Sequence, residues 1–261
     1  MIHRAAAGCR RQRRVGVGTG LAIALGLVAS HAQASPSDVG GPGVSTVSKL
    51  KMTLEYSDDL DRTWVLPKLA YSRPLAPTFE AEIAISHMRL ERATGADASG
   101  VGDVEFKGKW ALLEADGWNR PGVALEPKLI VAAGADTPGL GVRDTAIELP
   151  ILIGWSAGSR GFYTKAGYRH GFSGDPADRR YMGGVLGTWQ RGSVRYGLDV
   201  TAELPTADHT RYRINSNLGL NWYLSPTLEI QALVGTTLRH PVGRDAYKAK
   251  FVIEYKFDGR G

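Results

Sequence analysis

Charged side chains at a spacing of two carry most of the chemistry this sequence could do. Asp103, Glu105, Lys107 and Lys109 occupy alternate positions. Arg195, Asp199 and Glu203 share one parity, and so do Lys248, Lys250 and Glu254. Arg213 stands in a segment of the same kind. Alternate residues of an extended chain share a face, so each set forms a charged stripe. Opposite signs on neighbouring strands pair. A closed ring of such stripes would line a polar path in which fixed charge selects among ions.

Enzyme chemistry finds less. The six histidines include no H-x-x-x-H pair to clamp a metal. No G-x-S-x-G elbow offers a nucleophile. Asp208-His209, and Asp175 near His170, fall in or beside different outer connecting segments. A catalytic triad is recognised by geometry and not by order, so these stay candidates beside the plain reading of exposed loop histidines. Asp58-Asp59-Leu60-Asp61 lacks the order and closing glutamate of a calcium loop, and reads as solvated. Gly16-Val17-Gly18-Thr19-Gly20 looks like a phosphate loop, but no strand precedes it. No cofactor and no metal are expected.

The elements that must position the stripes are strands. From Lys49 onward the dominant period is two. In the last segment Tyr247, Ala249, Phe251, Ile253, Tyr255 and Phe257 fall on one face, opposite the lysines and Glu254. Turn signals predict twelve strands near 49–57, 63–73, 79–90, 101–114, 122–133, 143–155, 161–172, 179–190, 193–204, 211–223, 227–239 and 245–257. Nearly all reach the roughly 9 to 11 residues that a tilted strand needs to cross a bilayer. Tight turns alternate with longer connections, and aromatic residues gather near both strand ends. Short periplasmic turns, long outer loops and two aromatic girdles belong to an antiparallel up-and-down transmembrane β-barrel. An even strand count puts both termini on the periplasmic side. The competing soluble sandwich would bury its aromatics centrally, not sort them to the ends.

The chain of 261 residues has a formal charge of +6, which misleads. Arg4, Arg10, Arg11, Arg13 and Arg14 lie in the first 34 positions. Without them 27 basic residues face 26 acidic ones, too even a balance for nucleic acid. Those arginines, the apolar Val15 to Ala29 and the Ala32-Gln33-Ala34 site predict a secretory signal peptide over 1–34. A short segment 35–48, the barrel 49–257 and an extension 258–261 follow. Cys9, the only cysteine, falls in the signal. No later apolar run approaches the roughly 18 to 20 residues of a membrane helix. The expected place is the outer membrane. The expected partners are its lipid and lipopolysaccharide, the barrel-insertion machinery and a small-molecule solute.

Gly100-Val101-Gly102-Asp103-Val104-Glu105-Phe106-Lys107-Gly108-Lys109-Trp110 resembles the G-x-G-D start of a strand in the MetA-pathway of phenol degradation family of outer-membrane transporters. The resemblance spans roughly residues 45 to 257. It implies passage of small, often aromatic or apolar compounds, with no catalytic residues. It departs at the end, where Asp258-Gly259-Arg260-Gly261 trails the aromatic Phe257. The expected function is passive passage through the outer membrane. The alternatives are an enzyme acting on lipid or lipopolysaccharide, and a structural or adhesive barrel with a plugged lumen. The stripes also predict a transverse field, with Lys248, Lys250 and Lys256 facing an acidic arc of Glu80, Glu82, Asp103 and Glu105.

Overall fold

The structure is a computed structural model that describes residues 37–133, 140–141, 144–174, 178–241 and 245–258. Among the described residues thirteen strand segments follow one another. They are β1 (Ser48–Asp58), β2 (Arg62–Ala76), β3 (Phe79–Glu91), β4 (Ala98–Leu113), β5 (Gly122–Leu125), β6 (Lys128–Val131) and β7 (Ala146–Ala157), then β8 (Arg160–Gly171), β9 (Arg180–Arg191), β10 (Val194–Pro205), β11 (Arg213–Tyr223), β12 (Leu228–Arg239) and β13 (Tyr247–Phe257).

β5 and β6 are halves of one crossing. Both pair with β4 on one side and β7 on the other. They part at Glu126-Pro127, where proline brings no N–H to the ladder. Two bonds bridge the break: Gly108 N–H donates to the Pro127 carbonyl at 2.9 Å, and Glu126 N–H to the Pro150 carbonyl at 3.0 Å. Counted so, the chain crosses twelve times. β13 pairs back on β1 from Ser48↔Phe257 to Asp58↔Tyr247, which closes an antiparallel barrel with the start of β1 and the end of β13 on one side. The tight turns share that side. Two of them are Gly-Ser pairs with Gly158 at φ 57° and Gly192 at φ 60°, as a type II′ turn asks of its first residue.

Strand boundaries fall within three residues of those expected. One placement differs. Gly100 and Gly102 do not mark where a loop meets a strand, because β4 already begins at Ala98. Gly102 lies where the β3–β4 register shifts between Ile85 and His87. A Cβ on it would stand 2.5 Å from both Ser86 Oγ and Met88 Sδ. The G-x-G-D run is thus a bulge inside a strand.

The barrel is apolar outside and polar inside. Leu218 is 53% and Val234 59% exposed, while Asn221, Glu229 and Glu254 are fully buried. Such an outer band suits lipid. Among the described residues no helix is long and apolar enough to cross a membrane; strands make the crossing. The expected signal peptide over 1–34, its glycine run 16–20, Asp175 and residues 259–261 lie outside the described residues.

Candidate functional site

From Ser37 to Val47 the chain ahead of β1 runs inside the barrel, and Asp38 anchors it. The Asp38 N–H donates to Asp199 Oδ2 on β10 at 3.1 Å. Lys165 on β8 donates to the Asp38 carbonyl at 2.8 Å. On β13, Lys248 donates to Asp38 Oδ2 and Lys250 to Oδ1, each at 2.9 Å. Burial alone raises the Asp38 carboxyl; the Lys250 and Lys248 ammoniums outweigh it and hold the group well below its ordinary range. Further along, Lys109 donates to the Gly41 carbonyl at 3.1 Å, and Ser45 N–H donates to Glu80 Oε2 at 2.8 Å. Contacts from β3, β4, β8, β10 and β13 make this segment a plug.

Glycines in the wall shape its seat. A Cβ at Gly184 would lie 2.7 Å from Val39 Cγ2, and one at Gly122 or Gly154 would lie 2.9 Å from the Pro42 ring. Val39, fully buried, packs with Tyr163 and Leu186. Glycine within a strand commonly marks such a close approach.

On the loop side of the plug lies a cavity of about 370 Å³. Asp38, Lys165 and Lys248 form its floor, Thr201, Asn215 and Asn217 part of its wall, and Asp59 and Arg213 part of its rim. On the turn side, charged side chains fill the lumen. Lys49 and Glu80 are buried there, 3.5 Å apart. Lys256 meets Glu229 at 2.6 Å, and Asn221 Nδ2 donates to Glu229 Oε1 at 2.5 Å. Glu254 sits directly opposite Glu229. Its nearest cations are Lys256 at 3.6 Å and Lys51 at 3.9 Å.

Of the residues expected to line the lumen, the plug gathers Asp199, Lys248, Lys250 and Lys109. The rest are distributed. Glu105 pairs with Lys68 at 2.7 Å, Lys107 with Glu82 at 2.9 Å, and Lys109 also with Glu126 at 3.0 Å. Asp103 packs against Gly141. Arg195 donates to Gln190 at 2.9 Å and lies over Tyr223. Glu203 pairs with Arg180 at 2.9 Å. At the outer rim Arg213 donates to Asp59 at 2.6 Å, with His240 beside both.

The transverse field does not form as expected. Glu80, Glu82 and Glu105 each carry a lysine partner, so the acidic arc is neutralised where it stands. Lys49, Lys68, Glu229 and Asp38 escaped the sequence reading. Lys49 and Glu229 stand at strand starts, where alternation has hardly begun. Lys68 follows a register shift between Val65 and Lys68. Asp38 lies in a Gly- and Pro-rich stretch with no period at all; the available signal was glycine at mid-strand, at Gly154 and Gly184.

One pair bears on enzyme chemistry. His87 Nε2 and Ser99 Oγ are 3.0 Å apart on the outer face of β3 and β4. Among the described residues no further hydrogen bond to His87 orients its ring, as a serine–histidine pair requires of its base.

No family model and no curated protein match the chain. Solved structures do. The COG4313 outer membrane channel from Pseudomonas putida F1 is similar at a TM-score of 0.63 and 11% identity, over 86% of this chain and 100% of that one. The NanC porin gives 0.60 at 10% identity, over 80% and 100%. The KdgM porin gives 0.56 at 9% identity, over 79% and 99%. The fold is that of outer-membrane channels.

Proposed function

We propose that this protein is a passive outer-membrane channel for small solutes, kept closed at rest by its own N-terminal segment. The observation that carries the reading is how the plug is held. It sits in a polar lumen mainly on hydrogen bonds and ion pairs from separate strands, with apolar contacts at Val39 and Pro42, so it is a seat the chain can leave. The lipid-facing band, the closed twelve-crossing barrel and the aromatic Phe257 at the end of the last strand support insertion among outer-membrane lipid and lipopolysaccharide by the machinery that inserts such barrels.

The family resemblance at Gly100 to Trp110 favours small aromatic or apolar compounds. The cavity's amide, hydroxyl and charged lining favours a polar group on the solute. A small aromatic acid meets both demands. Flux into vesicles holding the full chain, and faster flux with Asp38→Ala, tests this. A folded Asp38→Ala barrel that passes neither ions nor small aromatic acids defeats the channel in favour of a structural barrel whose lumen stays filled.

The enzyme reading rests on His87 and Ser99 at the outer rim. Hydrolysis of phospholipid by the folded protein, lost in Ser99→Ala, would support it. The missing orienting group ranks it second.

A further inference from the structure

We propose that Lys165, Lys248 and Lys250 form a binding site for a small organic carboxylate, that Asp38 of the plug occupies it at rest, and that the solute frees the plug by taking its place. The inference rests on the channel reading for its purpose, but the site stands on its own geometry.

Three observations lead to it. First, the carboxylate of Asp38 already shows what the site takes: each oxygen accepts one ammonium hydrogen bond at 2.9 Å, one from Lys248 and one from Lys250. Two positioned cations on one carboxylate are an anion cradle. Second, Lys165 is the one cation of the cavity lining that has no carboxylate within 4.0 Å among the described residues; its ammonium donates to the Asp38 carbonyl. The other lining cations are matched: Lys128 with Glu148, Arg213 with Asp59, and Lys248 with Asp38 and Glu55. A half-buried cation with no carboxylate in direct contact favours an arriving anion. Third, the cavity of about 370 Å³ reaches this floor. A solute entering from the loop side therefore meets Lys165 and Lys248 directly.

The exchange conserves charge. A solute carboxylate replaces the Asp38 carboxylate on Lys248 and Lys250 and brings Lys165 its missing partner. Asp38 loses both of its ion pairs together. Only the Val39 and Pro42 contacts and the Gly41 and Ser45 hydrogen bonds then hold the plug, which leaves its seat more often. A ligand shifts such an equilibrium only by its differential affinity for the two states, and here the vacated cradle supplies that difference.

The probe is benzoate, with neutral benzamide as its isostere. Calorimetry on the folded full chain in detergent should show benzoate binding and no benzamide binding. Asp38→Ala should bind benzoate about tenfold more tightly, because the resident competitor is gone. Lys248→Gln with Lys250→Gln should abolish binding. Weaker or unchanged binding in Asp38→Ala overturns the proposal, since ordinary damage to a site lowers affinity. A second readout follows the plug itself. With Cys9 replaced by Ser, Val39→Cys reports burial through its rate of maleimide modification in vesicles. Benzoate should raise that rate and benzamide should not; equal rates overturn the displacement. A barrel that conducts yet binds no benzoate refutes the site and leaves the channel intact, whereas binding without flux refutes the channel and leaves the site.

Discussion

The Lys250 ammonium on the last strand donates to a carboxylate oxygen of Asp38, 212 positions earlier in the chain, at 2.9 Å. This contact joins the segment ahead of β1 to the strand that closes the barrel. It also makes the plug's position depend on the charge of one carboxyl group.

Docking should therefore depend on pH. The groups facing Asp38 are Lys165, Lys248, Lys250 and Asp199, with Glu55 behind Lys248. Asp38 has a depressed pKa when docked. Its contribution is then complete above the ordinary aspartate value of about 3.9 and fades as pH falls from there through the docked value. Conductance should be low and flat across neutral pH and rise below about pH 4. In Asp38→Ala the rise should be absent. A rise of equal size in both would place the titrating group elsewhere.

The glycine seat makes a steric prediction. Gly184→Ala puts a methyl group 2.7 Å from Val39 Cγ2. Overpacking of this kind costs roughly 1 to 3 kcal/mol. The plug should undock at least about fivefold more often, read as open time in bilayers. Gly187→Ala is the control, because a Cβ there meets nothing within 4 Å. Equal open times in the two variants would mean that Val39 does not set the docking.

Inside and outside can be told apart on one strand. Phe251 faces lipid and Lys250 the lumen. Phe251→Arg should destabilise the barrel by roughly 2 to 4 kcal/mol if it lies near the bilayer midplane. Lys250→Arg, which keeps a cation on Asp38, should cost far less. Urea unfolding in lipid measures both. Equal costs would mean a register wrong by one residue.

The sequence made the barrel legible because strand alternation is local. Tyr247 to Phe257 display both faces without any knowledge of their neighbours, and the Gly-Ser pairs at 158 and 192 mark their own turns. The Glu126-Pro127 break was visible as a proline but not as a bridged gap, since the bonds to Gly108 and Pro150 come from other strands. The lumen was legible as a set of charges and not as a set of pairs. Lys68 meets Glu105 only because of a register shift in β2. The plug was illegible for the same reason. Asp38 matters through Lys165, Asp199, Lys248 and Lys250, all more than a hundred residues away, and its own neighbours Ser37, Val39 and Gly40 say nothing of where it docks.

The central claim is that residues 37–47 close a barrel that otherwise conducts. Single-channel recording of the full chain beside a chain lacking 37–47 tests it most directly, with both checked as folded by heat-dependent gel mobility. The full chain should show brief, infrequent openings. The shortened chain should show a steady, larger conductance, with Lys248 and Lys250 now biasing it toward anions. If removing the plug leaves the folded barrel as silent as before, the buried charges around Glu229 and Glu254 close the lumen on their own, and the protein is not a plugged channel.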